Sequence, residues 1–240
     1  MAGHSHWKQV KHKKGAADAK RGQLFSKLVK EITIAAREAG PNADANPRLR
    51  AARERARAEG LPKDNIERAI ARAAGRGDGA ELYEFLYEAT APGGIALLIE
   101  GITDNKNRTL NEIKHLLSER GGRLADPGSV AWNFEKVGVI ECAAPDGAAP
   151  ETNELAIVGS GARDFTKADD GWTVETDFAA QETVRATLER AGFSIRETYH
   201  DYKAKSPIAL SPEIAPRIKT LLEALLEHDD VQEVYTNLRE

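Results

Sequence analysis

Residues 160–202 read SGARDFTKADDGWTVETDFAAQETVRATLERAGFSIRETYHDY, and their pattern decides the fold class. Residues 162–166 and 172–176 are short strand-like runs. Between them lie the turn residues Ala168-Asp169-Asp170-Gly171. Strand-like runs on either side of a polar, glycine-containing turn are typical of a β-hairpin. The sequence therefore predicts two adjacent antiparallel strands here.

Helical and extended patterns alternate on both sides of this hairpin. The helical period predicts a helix over 179–191, and a final strand follows over 194–202. A strand over 137–142 and a helix over 151–160 precede the hairpin. The resulting order is β-α-β-β-α-β, which is the split order of ferredoxin-like folds.

The segments around this unit predict a second α/β domain. Two strands, 83–90 and 95–103, flank the turn Pro92-Gly93-Gly94, and a helix with Asn107 or Thr109 as its cap follows them. A helix over 212–228 and a strand over 232–235 end the chain. We therefore expect a discontinuous α/β domain formed by 80–134 and 207–240, with 135–206 inserted in it.

Residues 1–79 predict helices instead of strands. Apolar residues recur with helical spacing from Gly15 to Gly40, and a second helix begins at Asn46-Pro47. A third runs from about Pro62 to the glycine-rich boundary at 75–79. The predicted fold class is α+β with three domains. These are an N-terminal helical domain and two ferredoxin-like α/β domains, the third inserted in the second.

Charge is divided unevenly along the chain. Residues 1–79 hold 18 Lys and Arg against 9 Asp and Glu, a net charge of +9, whereas residues 80–240 hold 16 against 29, a net of −13. Such an asymmetry between segments indicates a module that binds a polyanion, attached to a more acidic remainder. The acidic remainder would repel a phosphate backbone, so we expect nucleic acid to lie along the first segment.

The candidate nucleic-acid-binding residues combine cations with stacking groups. Lys and Arg neutralise phosphates and release counterions, and Trp or His stacks on bases. Positive charge also continues onto the predicted helices, which favours nucleic-acid binding over a merely solvated basic tail. The candidates are His4, Trp7, Lys8, Lys11, His12, Lys13, Lys14, Lys20, Arg21, Lys27, Lys30, Arg48, Arg50 and Arg53.

Lys106 and Arg108 form a separate candidate site. They lie where a predicted strand enters a helix, and a helix N-terminus with free N–H groups suits an anion. The alternative is that this stretch only caps the helix.

Several classes of function are not favoured. Cys142 is the only cysteine, which indicates a reducing cytosol, and no cysteine or carboxylate completes a zinc site with His4, His6 and His12. No nucleophile or metalloprotease motif is present, and Asp229-Asp230 fits a turn better than a catalytic pair. No stretch approaches the roughly 20 apolar residues of a membrane span. We expect a cytoplasmic, non-enzymatic monomer with no metal and no cofactor.

Six stretches together resemble the YebC/PmpR family in order and over nearly the whole chain. They are MAGHSHWKQVKHKKGAADAKRGQLFSKLVKEITIAAR, NPRLRAA with LPKDNIERAI, APGGIALLIEGITDNKNRT, GGRLADPGSVAWNFEKVGVI and DDVQEVYTNL. The chain departs from the family pattern at Tyr87–Ala91 and at Lys203–Pro207. The resemblance implies three domains, with the third inserted in the second.

The resemblance also implies a function and a set of residues. Family members are described as cytoplasmic transcriptional regulators that bind promoter DNA, and related members as translational activators or ribosome-associated factors at proline-rich stretches. Promoter DNA and ribosomal RNA therefore stay open as partners. The residues that match family motifs are His4, Trp7, Lys11, His12, Lys14, Lys20, Arg21, Lys27, Arg48, Lys63, Asn105, Asn107 and Arg108.

Overall fold

The structure of the chain is a computed structural model that describes residues 18–75, 81–145, 147, 149–168 and 171–239. Its helices are α1 Asp18–Ala39, α2 Pro47–Ala58, α3 Lys63–Ala74, α4 Lys106–Glu119, α5 Pro150–Gly159, α6 Gln181–Arg190 and α7 Ala215–Leu226. Its strands are β1 Tyr83–Ala91, β2 Ile95–Thr103, β3 Arg123–Leu124, β4 Phe134–Ala143, β5 Asp164–Ala168, β6 Gly171–Asp177, β7 Ser194–Ala204 and β8 Val231–Thr236. Glu135–Lys203 forms one compact unit, and the rest of the described chain forms a second.

Asn46 joins the first two helices. Its side-chain oxygen accepts a hydrogen bond from the Leu49 N–H at 3.0 Å, which caps α2, and Pro47 occupies the first turn. The Asn46 amide also donates to the carbonyls of Ala35 and Gly40 at the end of α1, at 2.8 and 2.9 Å. The predicted cap is confirmed, and Asn46 also sets the turn between α1 and α2.

Helices α1, α2 and α3 share one apolar core. Small side chains such as Ala35, Ala52 and Ala56 let the helix backbones approach closely, while Ile32 and Leu49 fill the remaining space without solvent exposure. This core explains why an alanine-rich, highly charged sequence folds as a three-helix unit.

The first sheet has the strand order β3-β1-β2-β8, and the β1–β2, β1–β3 and β2–β8 pairs are antiparallel. Strand β2 pairs with β1 over its full length, from Tyr83 opposite Thr103 to Ala91 opposite Ile95. Helices α4 and α7 pack on one face, where Ile113 and Leu221 join the apolar side chains of the strands. The other side of β2 is also buried, because helix α1 contacts this strand.

The smaller unit has the strand order β5-β6-β4-β7, with β4–β6 and β5–β6 antiparallel. Its elements follow one another as β4-α5-β5-β6-α6-β7, which is the predicted β-α-β-β-α-β order. Trp172 and Val174 of β6 pack with Ile157 of α5 and Leu188 of α6 in its core. All four of its strands lie in the chain between β3 and β8 of the first sheet. The predicted α+β fold class, with one α/β part inserted in another, is confirmed.

Element boundaries differ from the predictions at a few places. Helix α4 is capped by Asn105, not by Asn107 or Thr109: the Asn105 Oδ1 accepts from the Arg108 N–H at 3.1 Å. Helix α7 begins at Ala215, three residues after the predicted start. Most of the boundary at 75–79 lies outside the described residues, and the exact limits of the domains stay predictions. None of the described helices has both the length and the apolar character needed to cross a bilayer.

Candidate nucleic-acid interface

The most basic part of the predicted interface lies before the first described side chain. Seven predicted binding residues fall in this opening segment, residues 1–17, and are therefore outside the described residues. They are His4, Trp7, Lys8, Lys11, His12, Lys13 and Lys14. The remaining candidates lie within the described residues.

Three lysines of α1 make polar contacts at the end of the first sheet. Lys27 is only 7% exposed, and its ammonium donates to the Leu226 carbonyl at 2.6 Å. Lys30 lies 2.5 Å from the Asp230 carboxylate, and Lys20 lies 2.9 Å from Glu227. The basic side of α1 is therefore a docking surface for the turn between α7 and β8. Lys27 and Lys30 therefore have partners within the protein, whereas Lys20 keeps an exposed side chain, and nucleic-acid binding by these lysines stays a prediction.

Ile34 explains why the side of α1 that carries Lys27 and Lys30 faces the protein interior. Ile34 is buried but lies outside the core that α1 shares with α2 and α3. It follows Lys27 and Lys30 on the same side of the helix, since residues at i, i+3 and i+7 share a face. An apolar residue within a basic stripe was the sequence signal for this second contact surface.

Asp230 is the centre of the contact with α1. Its side chain is almost fully buried and accepts hydrogen bonds from the hydroxyls of Thr103 and Thr109, at 3.0 and 2.6 Å, in addition to its pair with Lys30. Arg108 completes the set at 3.1 Å. Burial by itself raises the pKa of Asp230, but the hydrogen bonds and charges of Lys30, Thr109 and Arg108 outweigh it and hold this pKa well below its ordinary value.

The backbone of Asp230 is held as closely as its carboxylate. The Asp230 carbonyl accepts from the Ile102 N–H at 2.8 Å, and a Cβ at Gly101 would lie 2.1 Å from that carbonyl oxygen. Only glycine allows this approach at the β-bulge between Glu100 and Gly101. Sequence reasoning treated Asp229-Asp230 as a simple turn and missed this role.

The Asp230 carboxylate lies at the N-terminus of α4, the helix end at which the sequence predicts an anion. It lies within hydrogen-bond distance of Thr109 and Arg108 in the first turn of that helix, where the helix dipole also favours negative charge. Arg108 also pairs with Asp104 at 2.7 Å, and the Lys106 ammonium lies 4.6 Å from the centre of the Tyr83 ring. Lys106 and Arg108 therefore have partners within the protein, and nucleic-acid binding by them stays a prediction.

The arginine candidates have intramolecular contacts as well. Arg48 forms ion pairs with Glu38 and Glu84, and through Glu84 it ties α2 to β1. Arg50 and Arg53 are half-buried on the same helix. Arg21 stays exposed at the start of α1, with its guanidinium 5.4 Å from the centre of the Phe25 ring.

One group of side chains in the described part of the chain has the composition of a metal site: Glu112, His228 and Asp230. Their atoms are already engaged. His228 Nε2 lies 3.0 Å from the Glu112 carboxylate, and His228 Nδ1 accepts from the Asp230 N–H at 3.1 Å. Because both carboxylate oxygens of Asp230 are also bonded, the geometry supports a hydrogen-bonded cluster and not an ion site.

These features define a class of protein: an α+β protein with a basic N-terminal helical part docked by ion pairs on the first of two α/β parts, the second inserted in the first. Two family models match it, "TACO1/YebC protein N-terminal domain" over residues 5–76 and "TACO1/YebC second and third domain" over residues 82–238. The chain belongs to the TACO1/YebC family.

Relatives and one solved structure agree with this assignment. A protein of Thermomicrobium roseum named "Probable transcriptional regulatory protein" is 49% identical over 238 residues, covering 99% of this chain and 96% of that protein. A Thermotoga maritima protein of the same name is 44% identical and covers 99% of this chain and 93% of its own length. The crystal structure of a conserved hypothetical protein from Aquifex aeolicus superposes with a TM-score of 0.84 at 40% identity, covering 98% of this chain and 97% of that one. The relatives' names place the family among regulatory proteins.

Proposed function

We propose that the protein is a non-enzymatic, cytoplasmic regulator of gene expression that binds nucleic acid through its opening segment, with promoter DNA as the target. The observation that carries the proposal is the separation of charge. Residues 1–17 contain four lysines, three histidines, one tryptophan and no acidic residue. Phosphate backbones favour such a segment because each neutralised phosphate releases condensed counterions.

The contacts of the helical part support two different roles for its cations, contact with the first sheet and binding of nucleic acid. Lys27, Lys30 and Arg48 hold this part onto the first sheet and are therefore left out of the proposed interface. Lys20 and Arg21 have exposed side chains and directly follow the opening segment in the chain, so they extend it. The proposed interface thus consists of the opening candidates together with Lys20 and Arg21.

Acidic surroundings would make the opening segment the main contact of a nucleic acid. The segment after residue 79 carries a net charge of −13, so a polyanion lying along it would be repelled. The same asymmetry orients the first encounter with nucleic acid, since the summed field of a protein steers charged partners.

A second candidate function is regulation of translation through ribosomal RNA. It is favoured by the contacts of Lys27, Lys30 and Arg48 with the α/β part that contains the first sheet, because these cations of α1 and α2 do not join an open basic face that could enter a DNA groove. Contacts from lysines to phosphates position a protein without reading sequence, and they suit structured RNA as well as DNA.

The test is a binding titration on duplex DNA and on structured RNA at several salt concentrations. The variant Lys11→Ala/Lys13→Ala/Lys14→Ala should bind more weakly, and its slope of log K against log salt on duplex DNA should be shallower by about 0.9 per lost phosphate contact. A matched control, Lys114→Ala/Lys167→Ala/Lys219→Ala, removes the same charge from exposed positions outside the helical part and should leave both quantities unchanged.

The outcome separates the two candidates. Tight, promoter-selective binding at physiological salt supports the transcriptional role. Preference for structured RNA, with sedimentation alongside ribosomes from lysate, supports the translational one. Equal behaviour of the two triple variants would refute the opening segment as the interface.

A further inference from the structure

Trp132 is the most exposed of the tryptophan, tyrosine and phenylalanine residues in the described part of the chain. Its side chain is 65% accessible, in the 3-10 turn Ala131–Asn133 just before β4. Tryptophan is highly buried on average, and a solvent-facing indole forfeits the burial of a large apolar surface. An exposed, ordered tryptophan is therefore a candidate contact site for another molecule.

The indole is held rigidly in this exposed position. Its Nε1–H donates to the Ser129 carbonyl at 2.9 Å, and Ser129 in turn donates from its side chain to the Asp126 carbonyl at 2.5 Å. The polar edge of the ring is thus satisfied within the loop, while the ring keeps its accessible surface. A side chain whose orientation is already fixed loses little conformational entropy on binding a partner.

Glu88 fixes the loop that carries the indole. Its carboxylate lies inside the loop and accepts from the backbone N–H groups of Gly128, Val130 and Ala131, at 2.5, 2.6 and 2.8 Å. Burial by itself raises the pKa of Glu88, but these three donors lower it below its ordinary value. The negative charge next to Trp132 is therefore turned inward and bonded.

Lys205 supplies a positive charge at the backbone of Trp132. Its ammonium donates to the Trp132 carbonyl at 2.9 Å, and its backbone N–H donates to the Asn133 carbonyl at 2.7 Å. Lys205 belongs to the same compact unit as Trp132 and is exposed. It lies in the stretch 203–207, where the sequence departs from the family pattern.

We propose that Trp132, with Lys205 beside it, is a stacking site for an unpaired nucleobase of a single-stranded nucleic acid. A flat, rigid aromatic face stacks on any base, and a neighbouring ammonium suits the phosphate next to that base. Bases within a duplex are already stacked on their neighbours, so this site favours unpaired strands. The inference rests on the proposed function and extends it to a second contact, which lies outside the basic opening segment.

The test compares Trp132→Ala, Trp132→Phe and the control Leu155→Ala, which removes an apolar side chain that is 73% exposed elsewhere. The probes are a fluorescein-labelled single-stranded DNA of about 16 nucleotides, the same sequence as RNA, and the DNA annealed to its complement. Trp132→Ala should raise the Kd for the single strands by roughly fivefold to hundredfold. Trp132→Phe should have a smaller effect, and the duplex Kd and the control should not change.

Each outcome decides the proposal. A higher Kd of Trp132→Ala for single-stranded DNA, for single-stranded RNA or for both supports the proposal and identifies the kind of strand that the site accepts. An unchanged Kd in Trp132→Ala, or an equal loss on the duplex, overturns it. If the unchanged Kd is accompanied by weaker binding of the Lys11/Lys13/Lys14 triple variant, only the stacking site fails and the proposed function stands.

Fluorescence gives an independent measurement should Trp132→Ala fold poorly. The difference in indole emission between the native protein and Trp132→Phe reports on Trp132, since Trp172 is buried and both proteins contain Trp7. Single-stranded probe should quench this difference signal, and an unquenched signal at saturating probe would overturn the stacking site.

Discussion

Two of the ion pairs between the helical part and the α/β part that contains the first sheet differ in their surroundings. Lys30 and Asp230 have side chains 23% and 4% exposed, whereas the paired side chains of Arg48 and Glu84 are 40% and 46% exposed. Asp230 also binds two threonine hydroxyls and Arg108, while the Arg48 pair lies in water-accessible surface. Opposite charges are present in both pairs. Burial and the number of satisfied hydrogen bonds therefore decide which pair contributes more to holding the helical part on the first sheet.

The largest effect is expected from removing the buried partner. Asp230→Ala removes the carboxylate that pairs with Lys30 and leaves the Ile102 and Asp229 carbonyls as the remaining acceptors of that ammonium. It also removes a shared acceptor of the Thr103 and Thr109 hydroxyls. Breaking a buried, hydrogen-bonded ion pair by removing one partner costs about 3–5 kcal/mol. Urea unfolding followed by circular dichroism measures this loss in the free energy of unfolding. A loss below about 1 kcal/mol, the range of an exposed pair, would show that the two ion pairs do not differ in their contribution to stability.

An intermediate effect is expected on acidification. The pKa of Asp230 is lowered on folding from its ordinary value of 3.8, so its contribution to the free energy of unfolding is fully present above that value. The contribution is lost as the pH falls below about 4 toward the folded-state pKa. Asp230→Asn cannot titrate, so its stability should fall less than that of the native protein between about pH 4 and pH 2.

Parallel pH profiles for the two proteins would show that Asp230 is not the carboxylate responsible. Thermal unfolding at a series of pH values in constant salt measures both profiles, and Glu84→Gln provides the matched control for an exposed carboxylate.

The smallest effect is expected at the exposed pair. Arg48→Ala should lower the free energy of unfolding by less than about 1 kcal/mol, because exposed pairs are screened by water and salt. The loss should shrink further at high salt, where the Debye length falls to about 3 Å at 1 M. A loss in Arg48→Ala as large as that in Asp230→Ala would show that exposure does not separate the two sites.

Regular elements were largely predictable from the sequence. The alternating strands of both sheets, the cap at Asn46 and the β-α-β-β-α-β order all follow from local periodicity and turn residues, and the structure has them within a few residues of the predicted limits. These features depend on neighbours a few positions apart, which a single sequence displays directly.

The roles of single charged residues were less predictable. Lys27 and Lys30 looked like part of a solvent-facing basic stripe, yet their partners Leu226 and Asp230 lie about 200 positions away in the chain. A pattern along one helix cannot show which distant segment covers it. Only Ile34, an apolar residue on the side of α1 that carries Lys27 and Lys30, indicated that this side is covered by another segment. Asp230 illustrates the same limit, because its four partners come from two distant segments of the chain, Lys30 and residues 103–109.

The central claim is that the positive charge of the N-terminal part serves two purposes, one in nucleic-acid binding and one in docking. The most direct measurement is the slope of log K against log salt on duplex DNA for Lys11→Met and for Lys27→Met, with folding of each checked by circular dichroism. The account predicts that the slope for Lys11→Met is shallower by about 0.9, the value of one phosphate contact. The slope for Lys27→Met should equal that of the native protein. An equal decrease in both variants would contradict the division of roles.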